Sequence, residues 1–241
     1  MIARTHYEVG QTALSIVCDE SYLDVVRVAV FEAREAIESK IAEDPFFGTT
    51  FDPYPVSESD HPLVKRMCQS SVLAGVGPMA GVAGAVADFA VRAAVEKGCR
   101  HIIVENGGDI SMLIDRDVRV GVFAGEPGFE DLALSFSPSS GIRGVCSSSG
   151  KIGPSVSFGS SGICTVFSDD TVLADCCATA FGNMIKEGTQ EEMASASERI
   201  AAIEGVDGCL CVCNGRMAMC GDVPELVKGT FEDDKLTSIL L

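Results

Sequence analysis

The chain has 241 residues, 46% of them hydrophobic and 22% charged, which excludes a disordered or collagen-like polymer and leaves room for one large domain or two small ones. Lys and Arg number 18 against 35 Asp and Glu, a net charge of −17. A surface so acidic repels phosphate backbones and anionic lipid, and a chain with no Trp and only 3 Tyr offers no stacking platform for single strands, so neither nucleic acid nor a membrane is the expected partner.

The first residues hold no basic stretch followed by an apolar one, so no signal peptide is expected and the protein reads as cytoplasmic. Thr12–Cys18 suits a first strand, with another around Tyr7–Val9 before it. From Ser21 to Ala42 the apolar residues Val26, Val30, Ala33, Ile37 and Ile41 recur at spacings of four and three, which predicts an amphipathic helix. Asp44–Ser59 is rich in Pro, Gly and Ser and reads as a loop. Asp60-His-Pro62 opens a short helix to about Leu73, which Gly75-Val-Gly-Pro78 breaks. Met79–Lys97 follows as a helix of small residues with Gly98 at its end; small side chains let another backbone or a ligand come close. Its apolar run Ala83–Val95 carries Asp88 and Arg92 and is too short to span a bilayer.

Ile102–Val104 and Ile110–Ile114 flank Asn106-Gly107 and read as a hairpin. Val118–Phe123, Leu132–Phe136 and Ile163–Phe167 are further strands, with Val145-Cys146 and Val156–Phe158 as short strands inside the Ser- and Gly-rich stretch Ser137–Ser161. Asp169 or Asp170 caps a helix from about Val172 to Ile185, and a second runs from Gln190 to Ile203, ended by Gly205. Cys209–Val212 and Met217–Met219 form a second hairpin through Asn214-Gly215, and Asp222–Val227 reads as a short helical turn. Strands joined by hairpins imply mainly antiparallel sheets, hence α+β. No linker divides the chain, so residues 1–241 form a single domain. A strand, two helices and a hairpin recur in each half, and Ala87-Asp88 echoes Ala174-Asp175; this points to two pseudo-repeats, about 1–100 and 101–241.

Eleven cysteines are present, none in a C-x-x-C pair. Cys209, Cys211 and Cys213 alternate, so a strand places all three on one face, and with Cys220 they form C-x-C-x-C-x6-C. Such a set is open to a metal or iron–sulfur reading, or to reduced thiols serving as small buried hydrophobes.

Four segments could carry chemistry. Gly75-Val-Gly77-Pro-Met-Ala80-Gly81 has the spacing of a dinucleotide-binding turn, with Glu105 near where a ribose-binding acid falls, yet Lys65–Ser71 before it is too polar for the buried strand that a Rossmann unit needs. Glu105-Asn-Gly-Gly-Asp109 is explained by a tight turn alone; it would also let amides approach a ligand that Asn106 or Asp109 orients. Asp175 and Thr179 share one helical face and are suited either to plain solvation or to a hard cation such as Mg2+ completed by phosphate and water. Ser147–Ser161 offers hydroxyls and amides to an anion, or is a surface loop. No G-x-S-x-G elbow and no P-loop lysine are present.

Taken in order, Gly-Pro-Met-Ala80, Glu-Asn-Gly-Gly-Asp109, Val145-Cys-Ser-Ser-Ser-Gly150 and Leu173-Ala-Asp-Cys-Cys-Ala-Thr179 resemble the motifs of the ApbE-like superfamily, whose best-known members are Mg2+-dependent FAD:protein FMN transferases. The likeness is greater to a smaller branch with Gly-Val-Gly-Pro-Met-Ala, Val-Glu-Asn-Gly-Gly-Asp-Ile and Gly-x-Ser-x-Ser-Phe-Gly, here Gly75–Ala80, Val104–Ile110 and Gly153–Gly159. The resemblance covers about residues 60–220. It implies an ApbE-like α+β fold of duplicated T-fold-type units, with the ligand cleft between them. It implies Mg2+ held by Asp175, Thr179 and the carbonyl of Ala80, and FAD or FMN lined by Gly77, Ala80, Asn106, Gly107, Gly108 and Asp109, with Ser147, Ser148, Ser149 and Gly150 on the diphosphate side. The partner is then a nucleotide-like small molecule, and a homodimer is compatible with it. Two positions depart from the transferase pattern. The Lys after its turn is Gly81 here, and the His of its His-x-Ile-Asp-Pro segment has no counterpart in Gly153-Pro-Ser-Val-Ser-Phe158. The catalytic residues therefore stay unassigned. A flavin transferase and a ligand-binding or accessory protein without transfer activity, of the kind associated with sulfide assimilation in some relatives, both remain open.

Overall fold

The computed structural model describes residues 2–149, 162–229 and 239–240. The chain opens with a hairpin, β1 (Ile2–Val9) and β2 (Thr12–Asp19), closed at Gly10. α1 (Leu23–Glu43) follows a short turn capped by Asp19 and buries Val26, Ala29, Val30, Ala33 and Ile37, the stripe expected from the spacing. α2 (Pro62–Ala74) starts with Pro at its first position and ends on Gly75 at φ +70, where L side chains are strained. A 3-10 turn over Pro78–Gly81 leads into α3 (Val82–Glu96). β3 (Ile102–Asn106) and β4 (Asp109–Leu113) join through Gly107 and Gly108, both at positive φ.

β5 (Val118–Gly121) and β6 (Leu132–Phe136) form a separate antiparallel pair, and β7 (Arg143–Ser148) and β8 (Ile163–Ser168) pair antiparallel. Then come α4 (Thr171–Met184), capped by Asp170, and α5 (Gln190–Ala201). β9 (Gly208–Cys213) and β10 (Arg216–Gly221) turn at Asn214-Gly215. β11 (Glu225–Lys228) and β12 (Ile239–Leu240) complete the described elements.

All recorded strand pairs are antiparallel. One sheet has the order β1-β2-β3-β4-β7-β8-β9-β10, the other β11-β6-β5-β12. A hairpin, helices and a hairpin therefore lie on each side of a seam where β4 meets β7 through Ile110–Val145, Ser111–Gly144 and Met112–Arg143. Helices cover one face of the large sheet and the small sheet covers the other. Ile102 and Val104 pack under α1–α3, and Cys164, Val166, Cys209, Cys211 and Cys213 under α4 and α5. Ile103, Ile110, Met112, Val145, Phe167, Leu210 and Val212 pack against Val118, Val120, Leu134 and Phe136 of the small sheet. With both faces covered, β8 and β9 are buried at every position, so their sequences show no polar alternation.

One expected element is corrected. Asp222–Val227 is not a helical turn: Glu225–Lys228 pairs with Leu132–Ser135 as a strand of the small sheet, and Pro224 before it has no N–H for a helix to use. The apolar stretch over Pro78–Glu96 is long enough by length and composition to cross a membrane; here it packs against α1, α4 and β4 instead. The small sheet as a second layer is not visible in the sequence, because β11 and β12 join the neighbouring strands β5 and β6 from the far end of the chain. The strand expected at Val156–Phe158 lies outside the described residues.

Candidate functional site

The site forms where the first turns of α3 and α4 cross above the β4–β7 seam. Glycines make the crossing close. A Cβ on Gly77 would lie 2.0 Å from the Thr50 carbonyl oxygen, one on Gly81 2.7 Å from Cys176 Sγ, and one on Gly84 2.8 Å from the Thr171 carbonyl oxygen and 2.9 Å from Asp175 Cβ. The small residues of α3 thus admit a neighbouring helix. At this contact Asp175 Oδ2 accepts the Gly84 N–H at 2.7 Å, beside the positive N-terminal end of α3.

The β3–β4 turn meets the crossing from the sheet side. Asn106 Nδ2 donates to the Ala83 carbonyl at 3.1 Å, which ties the turn to α3. Asp109, the first residue of β4, points toward the helices because Ile110 points to the small sheet. Its Oδ1 accepts the Ser147 N–H at 3.2 Å. Ser147 shares the small-sheet face of Val145, and its hydroxyl lies 2.8 Å from Thr165 Oγ1. Ser148 shares the helix face with Cys146 and is buried, and Ser149 donates to the Gly162 carbonyl at 2.7 Å. Among the three serines, the structure brings the amide of Ser147, not its hydroxyl, to the site.

Asp109 and Asp175 are both buried. Burial, with the charge of Glu105 added, pushes the Asp109 carboxyl up to about 7. Burial and the charge of Asp109 push Asp175 well above the carboxylate range. Among the described residues no ion pair reaches either one. A third buried acid nearby is handled differently. Asp88 on α3 has no exposed surface and binds Arg66 from α2, and Arg92 Nε at 2.6 Å. Arg66 continues to Asp170 Oδ1 at 2.9 Å, the atom that caps α4. Burial in a low-dielectric interior thus holds both carboxyls toward their neutral forms. Among the described residues no three His, Cys, Asp or Glu side chains are grouped to hold a metal, so a cation here would draw on hydroxyl, carbonyl or ligand oxygens as well.

Of the residues singled out from sequence, Asp175 and Asn106 bond the first turn of α3, Asp109 meets the Ser147 amide, and Ala80 packs against the core under α4. Thr179 lies one turn beyond Asp175 on α4 and is partly exposed. Gly150 and Gly153–Gly159 lie outside the described residues. The Rossmann reading is corrected: Gly75 ends a helix rather than a strand, and Gly77 is there for the Thr50 backbone. Glu105 lies on the small-sheet side of β3. Sequence reasoning missed Arg66 and Arg92. The echo of Ala87-Asp88 with Ala174-Asp175 was the available signal, since a second buried acid demands a partner. The cysteines of β9 form an apolar layer under α4 and α5, with Cys211 3.4 Å from Cys164.

A family model described as AbpE bacteria matches residues 2–219. A UPF0280 protein of Methanothrix thermoacetophila is 41% identical over 238 residues, 97% of this chain and 98% of its own length. Another, from Methanocella arvoryzae, is 38% identical over 231 residues, 96% and 94% of the two chains. Among solved structures, the flavin transferase ApbE from Vibrio cholerae superposes with a TM-score of 0.56 at 11% identity, covering 95% of this chain and 98% of that one. The apo flavinyl transferase ApbE of Pseudomonas stutzeri gives 0.56 at 10% identity, covering 91% and 94%. At such identities the likeness is one of fold.

Proposed function

Because the chain belongs to the AbpE bacteria family, we propose that it binds a flavin or other diphosphate-containing nucleotide together with Mg2+ at the crossing of α3 and α4. The observation that carries this reading is the contrast between Asp88, neutralised by two arginines, and the interacting acids Asp109 and Asp175, which no Arg or Lys among the described residues pairs. The donor set fits a hard ion: the carboxylate of Asp175, the hydroxyl of Thr179, the carbonyl of Ala80 and the neighbouring carboxylate of Asp109 are all oxygen. When bound, Mg2+ supplies charge neutralisation at the diphosphate and polarises the phosphoanhydride.

The chain's own residues do the positioning. The Gly84 amide fixes the Asp175 carboxylate, and the Ser147 amide fixes that of Asp109. Asn106 ties the Gly107-Gly108 turn to α3, where its amides would be offered to the ligand. The N-terminal end of α3 adds a favourable field for phosphate.

A second reading, binding without transfer, is favoured by Gly81. Its Cβ position is filled by Cys176 and Val172, so this turn has no space for the lysine that transferases carry there. Calorimetric titration of the protein with FAD, with Mg2+ and then with EDTA, tests the binding. Mg2+-dependent affinity is expected, and no binding under either condition would overturn it. Incubation with FAD and a Ser/Thr-bearing acceptor separates the two readings: FMN attached to the acceptor establishes transfer, and an unmodified acceptor alongside tight binding establishes the second.

A further inference from the structure

Away from that site, the cysteines of the β8–β9–β10 sheet are arranged in opposed pairs. Cys164 faces Cys211 across β8 and β9, and Cys209 faces Cys220 across β9 and β10. Directly opposed residues on antiparallel strands have Cα atoms about 4.5–5.5 Å apart, inside the roughly 4.4–6.8 Å that a disulfide spans. Both pairs therefore have a backbone compatible with a bond. Access separates them. Cys164 and Cys211, with sulfurs 3.4 Å apart, are wholly buried. Cys220, on the edge strand β10, is the one cysteine of the eleven that is not buried. Its partner Cys209 donates to the Ser197 carbonyl at 3.3 Å and lies within reach of the Cys220 backbone N–H.

A thiol must be exposed and ionised to attack an oxidant, and burial works against both. It pushes Cys209 and Cys177 up to about 12, and raises Cys176 well above the ordinary thiol range. Proximity favours Cys164–Cys211, but access decides which sulfur reacts first.

We propose that Cys209 and Cys220 are a thiol–disulfide modification site, with Cys220 as the attacking thiol and Cys209 as the resolving one, for a low-molecular-weight disulfide. The Cys220 thiolate attacks one sulfur of the oxidant, whose S–S bond breaks and releases one thiol. Cys209 gives up its proton and attacks Cys220 Sγ, and the second half of the oxidant leaves as a thiol. The two cysteines lose two protons and two electrons, and the oxidant is reduced to two thiols. The product staples β10, held to the sheet on one side only, to the buried strand β9.

Incubation of the folded protein with glutathione disulfide, followed by alkylation and non-reducing peptide mapping, tests this. The expected result is a loss of two thiols per chain and a Cys209–Cys220 linked peptide that dithiothreitol reverses. Cys209→Ser should stop at a glutathione adduct on Cys220, and Cys220→Ser should lose no thiol over the same time. Circular dichroism checks that both variants are folded, with Cys209→Ala as the substitute if the buried serine is not tolerated. A wild-type protein that stops at the Cys220 adduct, links Cys164 to Cys211 instead, or loses no thiol overturns the proposal whatever the variants do.

Discussion

Asp88 and Asp175 each reach across to the first turn of the helix that carries the other. Asp175 Oδ2 accepts the Gly84 amide of α3 at 2.7 Å, and the Thr171 hydroxyl of α4 points at Asp88 Oδ1 across 3.5 Å. Gly84 stands four residues before Asp88, and Thr171 four before Asp175. The two acids occupy matching positions in one helix crossing, and differ in what neutralises them.

The acid without an arginine partner is the one whose amide should matter least for folding and most for binding. Asp175→Asn is nearly isosteric. It is expected to weaken Mg2+-dependent FAD binding by at least about tenfold, or about 1.4 kcal/mol. Thr179→Val is expected to have a smaller effect, since a hydroxyl is a weaker ligand than a carboxylate. Equal affinities for wild type and both variants in a calorimetric titration would remove these residues from the account.

The acid with partners should behave in the opposite way. Arg66→Ala leaves a fully buried carboxylate to the more exposed Arg92 and is expected to cost about 2–3 kcal/mol of stability in urea unfolding. Arg92 is 44% exposed and shares the same carboxylate with Arg66, so Arg92→Ala is expected to cost only about 1 kcal/mol or less. Equal losses in the two variants would mean that burial of Asp88 does not set the energy.

Asp109 makes a pH prediction. Its folded pKa of about 7 lies above the ordinary 3.8, so the fold binds the proton more tightly than the unfolded chain does. The associated stability is present below about pH 4 and is lost as pH rises toward 7. His101, lowered by burial, acts in the opposite sense below 6.5, so the readout is the difference between wild type and Asp109→Asn. In EDTA that variant is expected to gain melting temperature relative to wild type between pH 5 and 8, by about 2 °C or more. Mg2+ should raise the wild-type melting temperature more at pH 8 than at pH 5. A pH-independent difference would show that Asp109 does not titrate in this window.

Gly81→Lys restores the transferase residue in sequence, but the structure has no room for it. The added Cβ meets Cys176 Sγ at 2.7 Å and Val172 Cγ1 at 3.1 Å. A loss of about 1–3 kcal/mol is expected from overpacking. Cys176→Ala in the same chain should recover part of it, because the first clash is with a side chain. No recovery in thermal unfolding of the double variant would place the strain in the backbone instead.

Local signals were legible in the sequence because they are local. The stripe Val26, Val30, Ala33 and Ile37 set α1, and Asn214-Gly215 set the last hairpin. The β3–β4 turn was found from its composition, although its two central residues are Gly107 and Gly108 rather than Asn106 and Gly107. The motifs holding Asn106, Asp109 and Asp175 lie on segments that the fold brings to one helix crossing. What stayed hidden depends on long-range contact. Asp109 and Asp175 are 66 positions apart, and only the fold shows that their buried carboxyls interact. The strand at Glu225–Lys228 had no periodicity of its own, and takes its form from Leu132–Ser135 far upstream.

The β4–β7 seam has a mechanical consequence. Among the described residues three pairs stitch the halves of the large sheet there, and the candidate site lies over them. One half contributes Asn106 and Asp109; the other contributes the Ser147 amide and Asp175. A metal ion shared by Asp109 and Asp175 would act as a rivet through both halves, resisting shear along the seam. Affinity for the ligand and resistance to that sliding would then be the same free energy seen from two sides, so a mutation that loosens the seam would weaken binding without touching a ligand atom.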